Sequence, residues 1–290
     1  MTAVDTSAAS IYLDVKILDI EGDVMGDWSP EHYLRYVDER SRPFTELLAR
    51  VPDDVTTAVD LGCGPGHLTG VLRARWPGVR VVGVDSSPAM IDRARADDPD
   101  GTYLRGDVRD HAAGGVTDDA DLVVSNATLQ WVPGYRTLLP HLADRARHAF
   151  AFSVPGNHDA PSHVLLRTVA SRRPFADVVG TVERRAVGDP ADHLADLARP
   201  GWDVDVWETT YTHVLPDTDD GTHPVLRWIS ATGAQPVLHA LSTHDAAHGT
   251  DLRARFRVDL GAELAAAYPR TSHGTPLTFR RVFTVARRTH

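Results

Sequence analysis

Thr57-Ala58-Val59-Asp60-Leu61 runs straight into Gly62-Cys63-Gly64-Pro65-Gly66, and this stretch decides the fold of the 290-residue chain. The first five residues form a short apolar run of the buried-strand type. Glycines at alternate positions then let the backbone turn sharply and approach a ligand with no Cβ in the way. A helix is predicted through Leu68, Val71, Leu72 and Trp76, ending at Pro77-Gly78. Its first N–H groups have no partner within the helix and are available to a ligand.

Working outward, the same punctuation recurs. Val79 to Val84 reads as a second strand closing on Asp85, and Ser86-Ser87-Pro88 opens another helix. A strand around Thr102 to Leu104 ends shortly before Asp107, and Ala120 to Ser125 and His148 to Val154 are further apolar runs. Upstream, Ser29-Pro30-Glu31 resembles a helix start, with an apolar face of Tyr33, Val37, Phe44, Leu47 and Leu48 that is expected to break before Pro43. Strands alternating with helices predict βαβ units and a parallel sheet. Beyond, residues 160–175, 189–199, 222–231 and 251–268 read as helical, Trp202 to Leu215 as a long strand and Thr278 to Ala286 as a last strand. The predicted organisation is an extension over 1–24, a ligand-binding core over 25–155, and over 156–290 a helical lid with the last strands of the same sheet.

The loop's neighbours narrow the ligand. A dinucleotide fingerprint would carry a small residue at His67, and a phosphate-binding P-loop would need a lysine that is absent here. Asp60, just before the loop, repels pyrophosphate and attracts a cationic amino acid. S-adenosylmethionine, with an ammonium and a sulfonium and no phosphate, fits that demand. Asp85 is placed for two ribose hydroxyls, an arrangement nicotinamide enzymes share, and Asp107 for an adenine amino group, with Val108 and Met90 beside the ring. Cys63 reads as a small packing residue.

Composition excludes several classes. With 30 basic and 40 acidic side chains the net charge is −10, against the basic face a nucleic-acid binder needs. No run of about 18 apolar residues and no signal peptide is present, which predicts a cytoplasmic protein with no membrane partner. One cysteine precludes an internal disulfide. Spacings within His158 and His163, or within His239, His244 and His248, resemble helical metal ligands, but without an H-E-x-x-H pattern no metal is expected. Lys16 is the only lysine, so any cation downstream of it is arginine.

Taken together, Glu39-Arg40-Ser41-Arg42-Pro43-Phe44, Asp60 to Gly66, Gly83-Val84-Asp85-Ser86-Ser87-Pro88-Ala89-Met90, Asn126-Ala127-Thr128-Leu129-Gln130-Trp131, Trp228-Ile229-Ser230-Ala231-Thr232-Gly233 and Phe279-Arg280-Arg281-Val282-Phe283 resemble the class I S-adenosylmethionine-dependent methyltransferases. Within them they resemble the branch that esterifies trans-aconitate. The resemblance covers about residues 26–288 and departs from the branch at Ser29, where asparagine is expected, and at His67, where asparagine or another small polar residue is expected. It implies a Rossmann-like sheet flanked by helices, with a helical lid in the C-terminal half. It also implies S-adenosylmethionine as cofactor and a small polycarboxylate as partner, esterified at one carboxylate. The cofactor residues are then Asp60, Gly62, Gly64, Gly66, Asp85, Ser86, Met90, Asp107, Val108 and Asn126. A net-negative chain must hold an anion with positioned arginines, whose planar forks match carboxylates; Arg40, Arg42, Arg270, Arg280 and Arg281 are the candidates, with Tyr33, Gln130 and Trp131 framing the reacting centre. Another small acid as acceptor, a nicotinamide oxidoreductase and a non-catalytic cofactor-binding module stay open as alternatives.

Overall fold

The computed structural model describes residues 37–182 and 187–289, with side chains from Arg42 onward. After helix α1 (Val37–Leu48) the chain alternates regularly: β1 (Thr57–Leu61), α2 (Thr69–Arg75), β2 (Arg80–Asp85), α3 (Pro88–Asp97), β3 (Thr102–Arg105), α4 (Val108–Ala112), β4 (Ala120–Asn126), α5 (Tyr135–Asp144) and β5 (Ala146–Pro155). The helices α6 (Pro161–Ala170), α7 (Phe175–Val179) and α8 (Pro190–Leu197) precede the long strand β6 (Trp202–Leu215). Next come α9 (Pro224–Ser230), α10 (Gln235–His248) and α11 (Leu252–Ala267), and then β7 (Thr275–Arg288).

The seven strands lie in the order β3-β2-β1-β4-β5-β7-β6. The first five pair in parallel, and β7 runs antiparallel to both β5 and β6. The order reverses between β1 and β4, and in such sheets a ligand crevice opens at the carboxyl ends of the strands at that point. Parallel strands buried on both faces read as continuous apolar runs, which is the case here. Leu122 and Val124 of β4 and Ala149 and Ala151 of β5 pack under Phe44, Leu47, Leu72 and Trp76. On the opposite face Val123, Phe150 and Phe152 meet Leu139, Leu142 and Leu197. A third apolar cluster, built from α6, α7 and α9 to α11, includes Leu215 and Leu277 from the adjoining ends of β6 and β7.

Two local expectations are corrected. Helix α1 runs through Pro43 instead of breaking before it, because Phe44, Leu47 and Leu48 are fully buried against the sheet and that packing outweighs the one helical hydrogen bond a proline cannot donate. Helices also form over α5 and α10, where no helix was expected. No helix among the described residues is long and apolar enough to cross a membrane.

Candidate active site

The glycine loop is bound down before it meets any ligand. Gly62, Gly64 and Gly66 all adopt left-handed φ values of 76°, 56° and 82°, a region costly for residues with a Cβ. A Cβ on Gly62 would strike the Thr128 side chain, whereas one on Gly64 would project into open space. The N–H groups of Gly62 and Cys63 donate to the Val84 carbonyl at the end of β2 (2.7 and 3.1 Å). Asp85 completes the clamp, its two carboxylate oxygens accepting the N–H of Gly64 and that of Ser87 (both 2.9 Å). Ser87 in turn caps α3 through the Met90 N–H (3.4 Å).

Two acids converge on this loop. Asp60 is 1% exposed, and its Oδ2 has no hydrogen-bond partner among the described residues. Burial, and secondarily the charge of Asp85, push its carboxyl up to about 7. Burial also raises Asp85, against the lowering effect of the N–H groups it accepts. A buried carboxylate with an orphaned oxygen beside a second acid is a site short of a cation. An ammonium-bearing, phosphate-free ligand lying along the open side of Gly64 meets that need, so the residues fit S-adenosylmethionine.

Further along the sheet edge, Asp107 caps α4 by accepting the Arg109 N–H (2.7 Å) and is also held by the Arg109 guanidinium (2.7 and 2.9 Å). That guanidinium keeps its carboxyl below the ordinary value. Val108 and Met90 are both buried, while Ser86 is exposed. Asn126 closes β4, its Oδ1 accepting the Ser153 hydroxyl (2.6 Å).

The backbone turns out of β4 through Ala127, whose φ of 56° is the one positive value on a non-glycine residue among those described. Thr128 then leans on Gly62, its hydroxyl donating to the Gly62 carbonyl (3.3 Å). On the other side of this turn opens a cleft. Pro155 and Asn157 at the end of β5, Trp228 and Ile229 of α9, and Phe279 and Arg281 of β7 are among its lining residues. Gln130 donates from Nε2 to the Ala127 carbonyl (2.5 Å), and its Oε1 is buried with no hydrogen-bond partner among the described residues.

Comparison with known proteins fits this arrangement. The methyltransferase-domain family model matches residues 58–148. The trans-aconitate 2-methyltransferase of Streptomyces coelicolor is 46% identical over 271 residues, covering 90% of this chain and 86% of that protein. The chain belongs to the trans-aconitate 2-methyltransferase family. It is an S-adenosylmethionine-dependent methyltransferase. Another family member, from Mycobacterium sp. (strain KMS), is 45% identical over 267 residues, covering 90% of this chain and 99% of its own. The plantazolicin methyltransferase, solved with S-adenosylhomocysteine, shares the fold at a TM-score of 0.50 and 12% identity over 92% of each chain.

Not all the arginines expected at the substrate reach the methyltransferase's cleft. Arg42 pairs with Glu46 (3.0 Å), its side chain 69% exposed. Arg270 pairs with Asp217 (3.3 Å), and Arg280 is held between Glu208 (2.6 Å) and Asp189 (2.9 Å). None of these three lines the cleft, whereas Arg281 does, at 5% exposure. Gln130 and Trp131 also line it. Tyr33 and the side chain of Arg40 lie outside the described residues, as does the extension over 1–24. Asn157, His213 and Thr278 were not singled out in the sequence, and they too line the cleft. For Asn157 a signal was present: it stands two residues beyond a strand end, in Pro155-Gly156-Asn157, much as Asp107 does after β3.

Proposed function

We propose that this methyltransferase esterifies one carboxylate of trans-aconitate, giving a monomethyl ester and S-adenosylhomocysteine. When bound, S-adenosylmethionine supplies a methyl group on a positively charged sulfur. The observation that carries the proposal is the polarity of the site: two acids, the buried Asp60 and the half-buried Asp85, stand on the glycine-loop side, and a buried arginine, Arg281, stands in the adjoining cleft. Such a site accepts a cationic group at one end and an anionic one at the other.

A carboxylate is ionised near pH 7 and has no proton to give up, so the acceptor needs no general base. The chain's task is then orientation and exclusion of water. The turn from Asn126 to Gln130 separates the two halves and sets how closely the acceptor approaches the cofactor side. Trp228, Ile229 and Phe279 cover the cleft with apolar surface, which strengthens the pull of Arg281 on an anion. The test is incubation of the purified protein with labelled S-adenosylmethionine and a panel of mono-, di- and tricarboxylates. Base-labile label on trans-aconitate is expected; label only on another acid would refute the acceptor.

A further inference from the structure

We propose that Arg281 and Asn157 together bind a carboxylate of the acceptor other than the one esterified, and that this contact selects polycarboxylates over monocarboxylates. The inference rests on the proposed esterification of a polycarboxylate and adds to it the residues that choose the substrate.

Asn157 is 6% exposed. Its Oδ1 accepts the backbone N–H of Arg280 (2.8 Å), which fixes the orientation of the amide and leaves Nδ2 as the remaining donor. That Nδ2 is buried, has no hydrogen-bond partner among the described residues, and belongs to a residue lining the cleft. A buried amide donor left unsatisfied is costly, so a native site holding one is built for a partner that accepts.

The neighbouring charge states what that partner is. Along β7 side chains alternate between the two faces, so Arg280 points to Glu208 and Asp189 while Arg281, one residue on, faces the cleft beside Phe279, whose ring centre lies 5.6 Å from its guanidinium carbon. Among the described lining residues Arg281 is the one arginine, and none of them is an aspartate or glutamate. A guanidinium and an amide N–H donor sharing a mostly apolar pocket match a carboxylate, whose two oxygens take both donors. The same register brings them together: Arg281 lies opposite Pro155 in the β5–β7 ladder, two residues before Asn157. A carboxylate held there stands across the Asn126–Gln130 turn from the glycine loop, leaving a second carboxylate of the same molecule to face the methyl donor.

The test compares wild type with Asn157→Asp, Asn157→Ala, Arg281→Gln and Arg281→Lys, measuring kcat and KM for trans-aconitate and for crotonate, a monocarboxylate with the same type of double bond. Asn157→Asp keeps the acceptor for the Arg280 N–H and replaces only the donor in the cleft by a repelling oxygen, which separates a binding role from a structural one. Losing a hydrogen bond to a charged group predicts a KM for trans-aconitate raised about ten- to a hundredfold in Asn157→Asp and Arg281→Gln. Arg281→Lys should rise less. The KM for S-adenosylmethionine and the efficiency toward crotonate should move less than about threefold, since neither uses this contact. Calorimetric binding of S-adenosylhomocysteine verifies that each variant is folded, and whichever of the two positions yields a folded variant carries the test. An unchanged KM for trans-aconitate in the folded variants, or equal losses toward both acceptors, overturns the inference alone. A wild type that methylates no polycarboxylate overturns the proposed function and this inference with it.

Discussion

Replacing Asp60 by asparagine should make the ligand-free protein more stable while weakening its hold on the cofactor. Asp60 is 1% exposed with one oxygen unpartnered, and its carboxyl is pushed from 3.8 to about 7. Below pH 4 the group is protonated in both the folded and the unfolded chain and costs nothing. Between pH 4 and 7 the unfolded chain releases a proton that the folded chain keeps, so stability falls as pH rises, and above 7 the loss is complete. At 1.36 kcal/mol per pH unit, the interval from 3.8 to about 7 amounts to about 4 kcal/mol at pH 8 and about 2 kcal/mol at pH 5. Asparagine keeps the shape and removes the charge. Urea unfolding of the ligand-free variant should therefore show a gain near the larger figure at pH 8 and a clearly smaller one at pH 5. Titration calorimetry should show S-adenosylhomocysteine binding about tenfold more weakly, and wild-type affinity rising from pH 6 to pH 8 as Asp60 ionises. A variant that gains nothing at pH 8, or gains equally at both pH values, would refute the view that a buried, cation-seeking carboxylate governs this end of the site.

Gly62→Ala places a Cβ on Thr128 at a φ of 76° and should destabilise the fold by about 2–3 kcal/mol, read by chemical unfolding. Asp85→Ala releases the N–H groups of Gly64 and Ser87 and should cost at least about tenfold in S-adenosylhomocysteine affinity; an unchanged dissociation constant would remove Asp85 from the cofactor site. Arg42→Ala, in contrast, removes an exposed pair with Glu46, so stability should move by less than about 1 kcal/mol and the KM for the acid should stay where it is.

How far the sequence could be read depended on how local each cause was. The glycine loop, the acids at strand ends and the proline-marked helix starts of α3 and α9 arise within a few residues, and the alternating segment from Trp202 to Leu215 coincides with β6. Helix α5 was hidden by Pro140 in its interior, and α10 by apolar residues that form a face only against Phe175 and Phe256. Most opaque was the arginine question. Arg280 and Arg281 are adjacent and chemically identical, and what separates them is the β5–β7 register together with Glu208 and Asp189, more than seventy residues away in sequence.

The β6–β7 ribbon behaves as a cantilever. Fourteen residues of β7 pair with β6, and the half from Arg281 to Arg287 also pairs with β5, a hold that Gly156 and Asn157 extend to the Arg280 backbone. The arm beyond, Thr275 to Phe279, joins the apolar cluster of the C-terminal helices through Leu277, with Leu215 of β6 beside it. That hold on β5 ends after Arg280, next to Phe279 and close to the residues that line the cleft. The ribbon that supports the apolar cluster of the C-terminal helices therefore also supplies Phe279 and Arg281 to the cleft, so that helix packing and cleft lining share one pair of strands.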